Sequence, residues 1–88
     1  MKAVERVAWN IRRLRVARGI SQETLGLAAD VDRTYVSRVE RHKENPTVKI
    51  LERVAQVLDT DIAELLREPD ITDRMPRKLR SGRKPGQK

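Results

Sequence analysis

Arg33, Thr34, Ser37 and Arg38 set two guanidinium groups and two hydroxyls at i, i+1, i+4 and i+5. On a helix that spacing gathers them on the N-terminal part of one exposed face, since residues three and four apart are surface neighbours. The chemistry suits the edges of base pairs: an arginine fork matches guanine O6 and N7, a threonine meets a thymine methyl, and a serine donates or accepts. Arg33 is the leading candidate for such readout, and a merely solvated face is the plain alternative. Ser21 and Gln22 stand where a preceding helix begins, and the free N–H groups and dipole of a helix N-terminus favour a phosphate. Ser21 is expected mainly as a cap and Gln22 as a phosphate contact.

Other chemistries lack their parts. There is no cysteine and a single histidine, His42, so neither a disulfide framework nor a metal site is expected. His42 is read as a loop residue rather than a ligand or pH switch. No nucleophile with a nearby base and no glycine-rich phosphate loop is visible, which argues against an enzyme and against a cofactor. No run approaches the roughly 20 apolar residues of a membrane span, and the N-terminus alternates charges with apolar residues.

The formal charge of +7 is unevenly placed. Residues 1–43 carry ten basic and five acidic side chains, residues 44–73 three and eight, and residues 74–88 seven and none. A chain polarised in this way can turn a basic face to a polyanion.

These side chains need a scaffold, and 88 residues suffice for one domain with a small core. Phenylalanine is absent, and Trp9 and Tyr35 are the only aromatic residues, so Val, Leu, Ile and Ala must build that core. Val4, Val7, Ala8, Ile11 and Leu14 follow the i, i+3, i+4, i+7 pattern of one helix from about Lys2 to Arg18, with Gly19 as its left-handed terminator. Ser21 leads a short helix, Gln22 to Ala29, with Leu25 and Ala28 inward. After a tight turn at Asp30 and Val31, Asp32 caps a helix from Arg33 to Arg41 that buries Val36 and Val39. Asn45-Pro46 stops the chain, and Thr47 caps a helix with the stripe Ile50, Leu51, Val54, Val57 and Leu58. Asp61 opens a fifth helix carrying Ile62, Leu65 and Leu66. Trp9 lies off the apolar face of the first helix; the bundle edge, a partner and the tail are its open alternatives. The expected architecture is an all-α, compact five-helix bundle over residues 1–68, followed by a basic, disordered tail over residues 69–88.

Two short helices joined by a tight turn, with a small Gly26 where they cross and Val31, Val36 and Val39 packing the pair onto the bundle, form the layout of a helix-turn-helix. The segment IRRLRVARGISQETLGLAADVDRTYVSRVERHKENPTVKILERVAQVLDTDIAELL, residues 11–66, resembles the lambda-repressor-like (Cro, XRE) family. The resemblance is carried by Ile-Ser-Gln before the first motif helix, Tyr-Val-Ser-Arg-Val-Glu in the second, and Asn-Pro-Thr opening the next. Asp-Arg-Thr-Tyr-Val-Ser is most similar to the small controller proteins of restriction-modification systems.

The resemblance implies a cytoplasmic, nucleoid-associated bacterial regulator of transcription, a repressor or autoregulatory controller that binds double-stranded DNA. It implies that Arg41, Lys43 and Asn45 hold the opposite phosphate backbone, and that Tyr35 reaches a phosphate or else packs on the bundle. It implies a structural salt bridge between Arg15 and Glu40. Asp30 and His42 stand where the family usually has glycine, and both tolerate a left-handed backbone better than most residues. Family members usually bind pseudo-palindromes as two-fold dimers. The expected homodimer interface is Val57, Ile62, Leu65 and Leu66, with burial in the core as their alternative. A contact with RNA polymerase or a regulatory protein stays open. So does a rival function, a protein-interaction module of the same fold such as an antitoxin or antiactivator partner. The tail, with its Gly82-Arg83-Lys84-Pro85 run, is either a DNA-binding arm or a solubilising segment.

Overall fold

The computed structural model describes residues 1–70; the expectations for the basic tail lie outside the described residues. Five helices follow one another, α1 (Ala3–Ala17), α2 (Gln22–Ala29), α3 (Arg33–Glu40), α4 (Val48–Val57) and α5 (Ile62–Leu66), with no strand among the described residues. Each begins and ends within a residue or so of its sequence signals. Side-chain oxygens accept from backbone N–H groups at the start of four helices: Ser21 from Thr24 at 3.0 Å, Asp32 from Thr34 at 3.1 Å, Thr47 from Ile50 at 3.1 Å and Asp61 from Ala63 at 3.4 Å. Each satisfies a donor that the first helical turn leaves without an intrahelical partner.

The ends of α1 to α4 share one device. In each, a left-handed residue ends the helix, after the cap in α1, α3 and α4 and as the cap itself in α2, and the next N–H reaches back to a carbonyl of the last turn: Ile20 to Arg15, Val31 to Gly26, Lys43 to Arg38 and Thr60 to Ala55. This is the Schellman closure. The left-handed positions are Gly19, Asp30, His42 and Asp59, with φ of 70°, 60°, 63° and 56°. Sequence reading singled out the first three; Asp59 was missed, although aspartate is one of the few residue types that tolerate that backbone.

Helix α1 packs on α3 and α5, α2 on α3 and α4, and α4 on α5. Their shared core holds Val7, Ile11, Leu25, Ala29, Val36, Val39, Leu51, Val54, Ala55, Leu58 and Leu65. Two expectations need correction. Ala29, not Ala28, turns inward from α2, and Leu27 is 78 % exposed. Leu65 is fully buried, so it is a core residue and not part of a dimer surface; Val57 and Ile62 pack partly against the core, and Leu66 is 39 % exposed. Trp9 is half-buried, and its indole N–H is buried with no hydrogen-bond partner among the described residues.

Gly26 decides how closely the motif helices approach. A Cβ there would meet the Val31 carbonyl oxygen at 2.7 Å, inside any real contact distance. Only a glycine lets α2 sit against the turn that launches α3.

Candidate nucleic-acid interface

Helix α3 is held from below and open above. Beneath it, Glu40 accepts from Arg15 Nε at 2.7 Å and Nη2 at 3.0 Å, a two-pronged pair with both side chains almost wholly buried. Arg15 Nη1 donates to the Ile20 carbonyl at 2.9 Å, and the Gln22 amide donates to Glu40 at 3.1 Å. Four side-chain and backbone groups from α1, the α1–α2 loop, α2 and α3 thus meet at one point. The arrangement fixes α3 relative to α1 and α2 and limits rotation about its own axis. It also gives Gln22 a structural attachment that the sequence did not signal.

On the outer side, Arg33 and Thr34 are exposed in the first turn of α3, Ser37 is half-buried and Arg38 is exposed. Among the described residues the Arg33 guanidinium makes no hydrogen bond or ion pair. Arg38 is engaged instead: its Nε donates to Glu44 at 2.8 Å and its Nη2 to the Lys43 carbonyl at 3.3 Å. Sequence reading missed Glu44, because only the left-handed turn at His42 folds the loop back onto α3.

The loop after α3 exposes Arg41, Lys43 and Asn45, while Glu44 is half-buried against Arg38. The Nε of Arg41 donates to the Ser37 carbonyl at 3.3 Å. His42 is exposed. Ser21 works as the cap of α2, its hydroxyl also donating to Thr24 Oγ1 at 3.0 Å. Tyr35 is half-buried and packs beside the core, near Val31, Pro46 and Ile50. Burial, and secondarily the Glu44 carboxylate, push its phenol above the ordinary 10.0.

Two further polar ties escaped the sequence. Asn10, fully buried on α1, donates to the carbonyls of Leu65 at 3.0 Å and Arg67 at 2.7 Å, satisfying the end of α5. Arg53 on α4 donates to the Ala29 carbonyl at 2.9 Å and so closes the end of α2. Among the described residues no helix is long and apolar enough to cross a membrane, and no group of His, Cys, Asp and Glu is placed to hold a metal.

The expected readers Arg33, Thr34, Ser37 and Arg38 therefore share one helix, and the expected phosphate contacts Ser21, Gln22, Arg41, Lys43 and Asn45 flank it at the start of α2 and in the loop after α3. A family model described as helix-turn-helix matches residues 11–65. A hypothetical transcription factor of Neisseria meningitidis is 41 % identical over 63 residues, 72 % of this chain and 59 % of that protein. The transcriptional regulator SinR of Bacillus licheniformis is 35 % identical over 76 % of this chain and 61 % of its own length. The chain thus spans about three fifths of these two relatives. The control protein C.SmaI of Serratia marcescens is 36 % identical, across 75 % of this chain and 79 % of its own. Among solved structures, the restriction-modification controller C.AhdI of Aeromonas hydrophila superposes with a TM-score of 0.68 at 37 % identity, covering 70 % of this chain and 94 % of that one.

Proposed function

Because the chain belongs to the helix-turn-helix family of the Cro and XRE type, whose members are DNA-binding transcription regulators rather than enzymes, we propose that it reads a specific DNA sequence through α3. It acts as a homodimer on a pseudo-palindromic operator, as a repressor or autoregulatory controller. The observation that carries this reading is the state of Arg33, an exposed guanidinium without a partner among the described residues, at the first turn of a helix braced from behind. That end of a recognition helix reaches base edges in the major groove. Arg33, Thr34, Ser37 and Arg38 read bases. The exposed Arg41, Lys43 and Asn45, with the N-terminus of α2, track phosphates and set register.

One module contacts few base pairs, so a two-fold dimer is needed for a useful site length. With Leu65 in the core, the surface left for that contact is Val57, Ile62 and the more exposed Leu66. The similarity to a control protein and to a restriction-modification controller supports reading it as a compact controller.

The test is selection of bound duplexes from a random-sequence library, followed by two variants on the enriched site. Arg33→Ala is expected to cost about 1–3 kcal/mol there and relax preference at one base pair. Lys43→Ala is expected to weaken all sequences alike and flatten the dependence of log K on log salt by about one unit. An unenriched library, or equal losses on selected and random DNA for Arg33→Ala, would overturn the assignment. Sedimentation of a monomer alone at micromolar concentration would remove the dimer.

A further inference from the structure

Glu44 is an acidic side chain in the middle of the surface assigned to a polyanion, between the exposed Lys43 and Asn45. Left free, it would repel phosphate. It is not free: its Oε2 accepts from Arg38 Nε at 2.8 Å, and Arg38 Nη2 donates to the Lys43 carbonyl at 3.3 Å. The Lys43 N–H returns a bond to the Arg38 carbonyl at 2.8 Å. A closed ring of contacts therefore joins the last turn of α3 to the loop. The raised Tyr35 phenol, which feels the Glu44 carboxylate, agrees with a charge facing the helix.

The ring uses one edge of the guanidinium. Of the five N–H donors of an arginine, the Nε–H and one on Nη2 are taken by the loop, which leaves those of Nη1 and the second on Nη2. The remaining fork lies at the end of the side chain and still matches a planar pair of acceptors such as guanine O6 and N7. A freely rotating arginine could offer either edge, and a phosphate could take it by the Nε edge as readily as by the end.

We propose that Glu44 is a specificity-determining positioning residue: by occupying the Nε edge of Arg38 it presents that arginine end-on to a base and withholds it from the DNA backbone. The inference rests on α3 being the DNA-reading helix. It places two effects on one side chain. Specific binding gains because Arg38 is oriented before contact, so less ordering is required on association. Non-specific binding, which is governed by the number of phosphates neutralised, is held down because one cation is committed and one anion is present.

The test compares affinity for the selected duplex with affinity for a random duplex of equal length, in the full chain and in Glu44→Gln. Gln keeps the length of the side chain but removes its charge. The ratio of specific to random affinity is expected to fall about tenfold. Binding to random DNA should tighten and its log K against log salt slope steepen by about one unit, as Arg38 becomes available to a phosphate. In an Arg38→Ala background the same substitution should leave the ratio unchanged, because Glu44 acts through Arg38. An unchanged ratio in Glu44→Gln, or an equal effect with and without Arg38, would overturn the proposal. If the unsubstituted chain itself does not distinguish selected from random DNA, the reading of α3 fails first, and this inference falls with it. Circular dichroism melts of each variant report whether the fold has been kept.

Discussion

Two arginine–glutamate pairs hold α3, one two-pronged and one joined by a single hydrogen bond, and they differ most in their surroundings. Arg15 and Glu40 approach to 2.7 Å, Arg38 and Glu44 to 2.8 Å. The first pair has side-chain exposures of 7 % and 5 %, the second 46 % and 29 %. Distance alone would make them equivalent. Beneath the helix, every charge has been taken out of water and must be matched by fixed partners, so the pair sets position. Above it, water competes for both groups at small cost, so the pair can orient a side chain yet still yield to a ligand.

Breaking the buried pair gives the largest expected effect. Glu40→Ala leaves Arg15 charged in the core with the Ile20 carbonyl as its remaining partner and strips the Gln22 amide of its acceptor. The loss is expected at about 3–5 kcal/mol. For a domain this small each kcal/mol moves the melting temperature by roughly 4–8 °C, so a thermal melt within a few degrees of the parent would show that the buried and exposed pairs do not differ as described.

An uncharged buried tie should fall between the two pairs. Asn10→Ala removes the donor to the Leu65 and Arg67 carbonyls, leaves the buried Leu65 carbonyl without it, and opens a gap between α1 and α5. Of the two bonds only that to Leu65 is buried, and one buried polar group left without a partner costs about 1–3 kcal/mol. Chemical denaturation of this variant is therefore expected to give a loss smaller than that of Glu40→Ala and larger than that of any change at Glu44. A loss equal to the former would mean that charge adds nothing to the penalty beneath α3.

Asn10 also marks the limit of what the sequence could tell. The helices were legible because their signals are local: the apolar stripes of α1 and α4 repeat at the helical period, and Ser21, Asp32, Thr47 and Asp61 lie immediately before the segments they cap. Asn10 was not, because its partners are carbonyls 55 and 57 residues away, and a carbonyl has no residue type to announce it. Ala28 and Ala29 could not be told apart on an eight-residue helix whose exposed Leu27 blurs the apolar stripe. At the candidate site the placement of Arg33, Thr34, Ser37 and Arg38 on one helix was readable from spacing. The engagement of Arg38 was not, since it depends on a loop reversed at His42, where φ is 63°.

The exposed pair should matter little to stability. Arg38→Ala and Glu44→Gln are each expected to change unfolding free energy by no more than about 1 kcal/mol. A loss in denaturant melts comparable with that of Glu40→Ala would show that the upper pair is a structural strut, and would erase the contrast drawn between the two faces of α3.

The smallest expected effect is also the most local probe of Glu44. Tyr35 is the single tyrosine, so tyrosinate absorbance reports it alone. Burial disfavours the phenolate first and the Glu44 carboxylate adds to this, so the folded phenol should titrate above 10.0. The sign for stability follows by linkage. Below the unfolded value of 10.0 the phenol is neutral in both states and its contribution to folding is complete. As pH rises beyond that value the unfolded chain releases a proton that the folded chain still holds, and the contribution is lost as pH climbs through the folded value. Glu44→Gln removes only the lesser cause, so the midpoint should drop while staying above 10.0. An unmoved midpoint would place the carboxylate away from Tyr35, and with it the loop that brings Glu44 to Arg38.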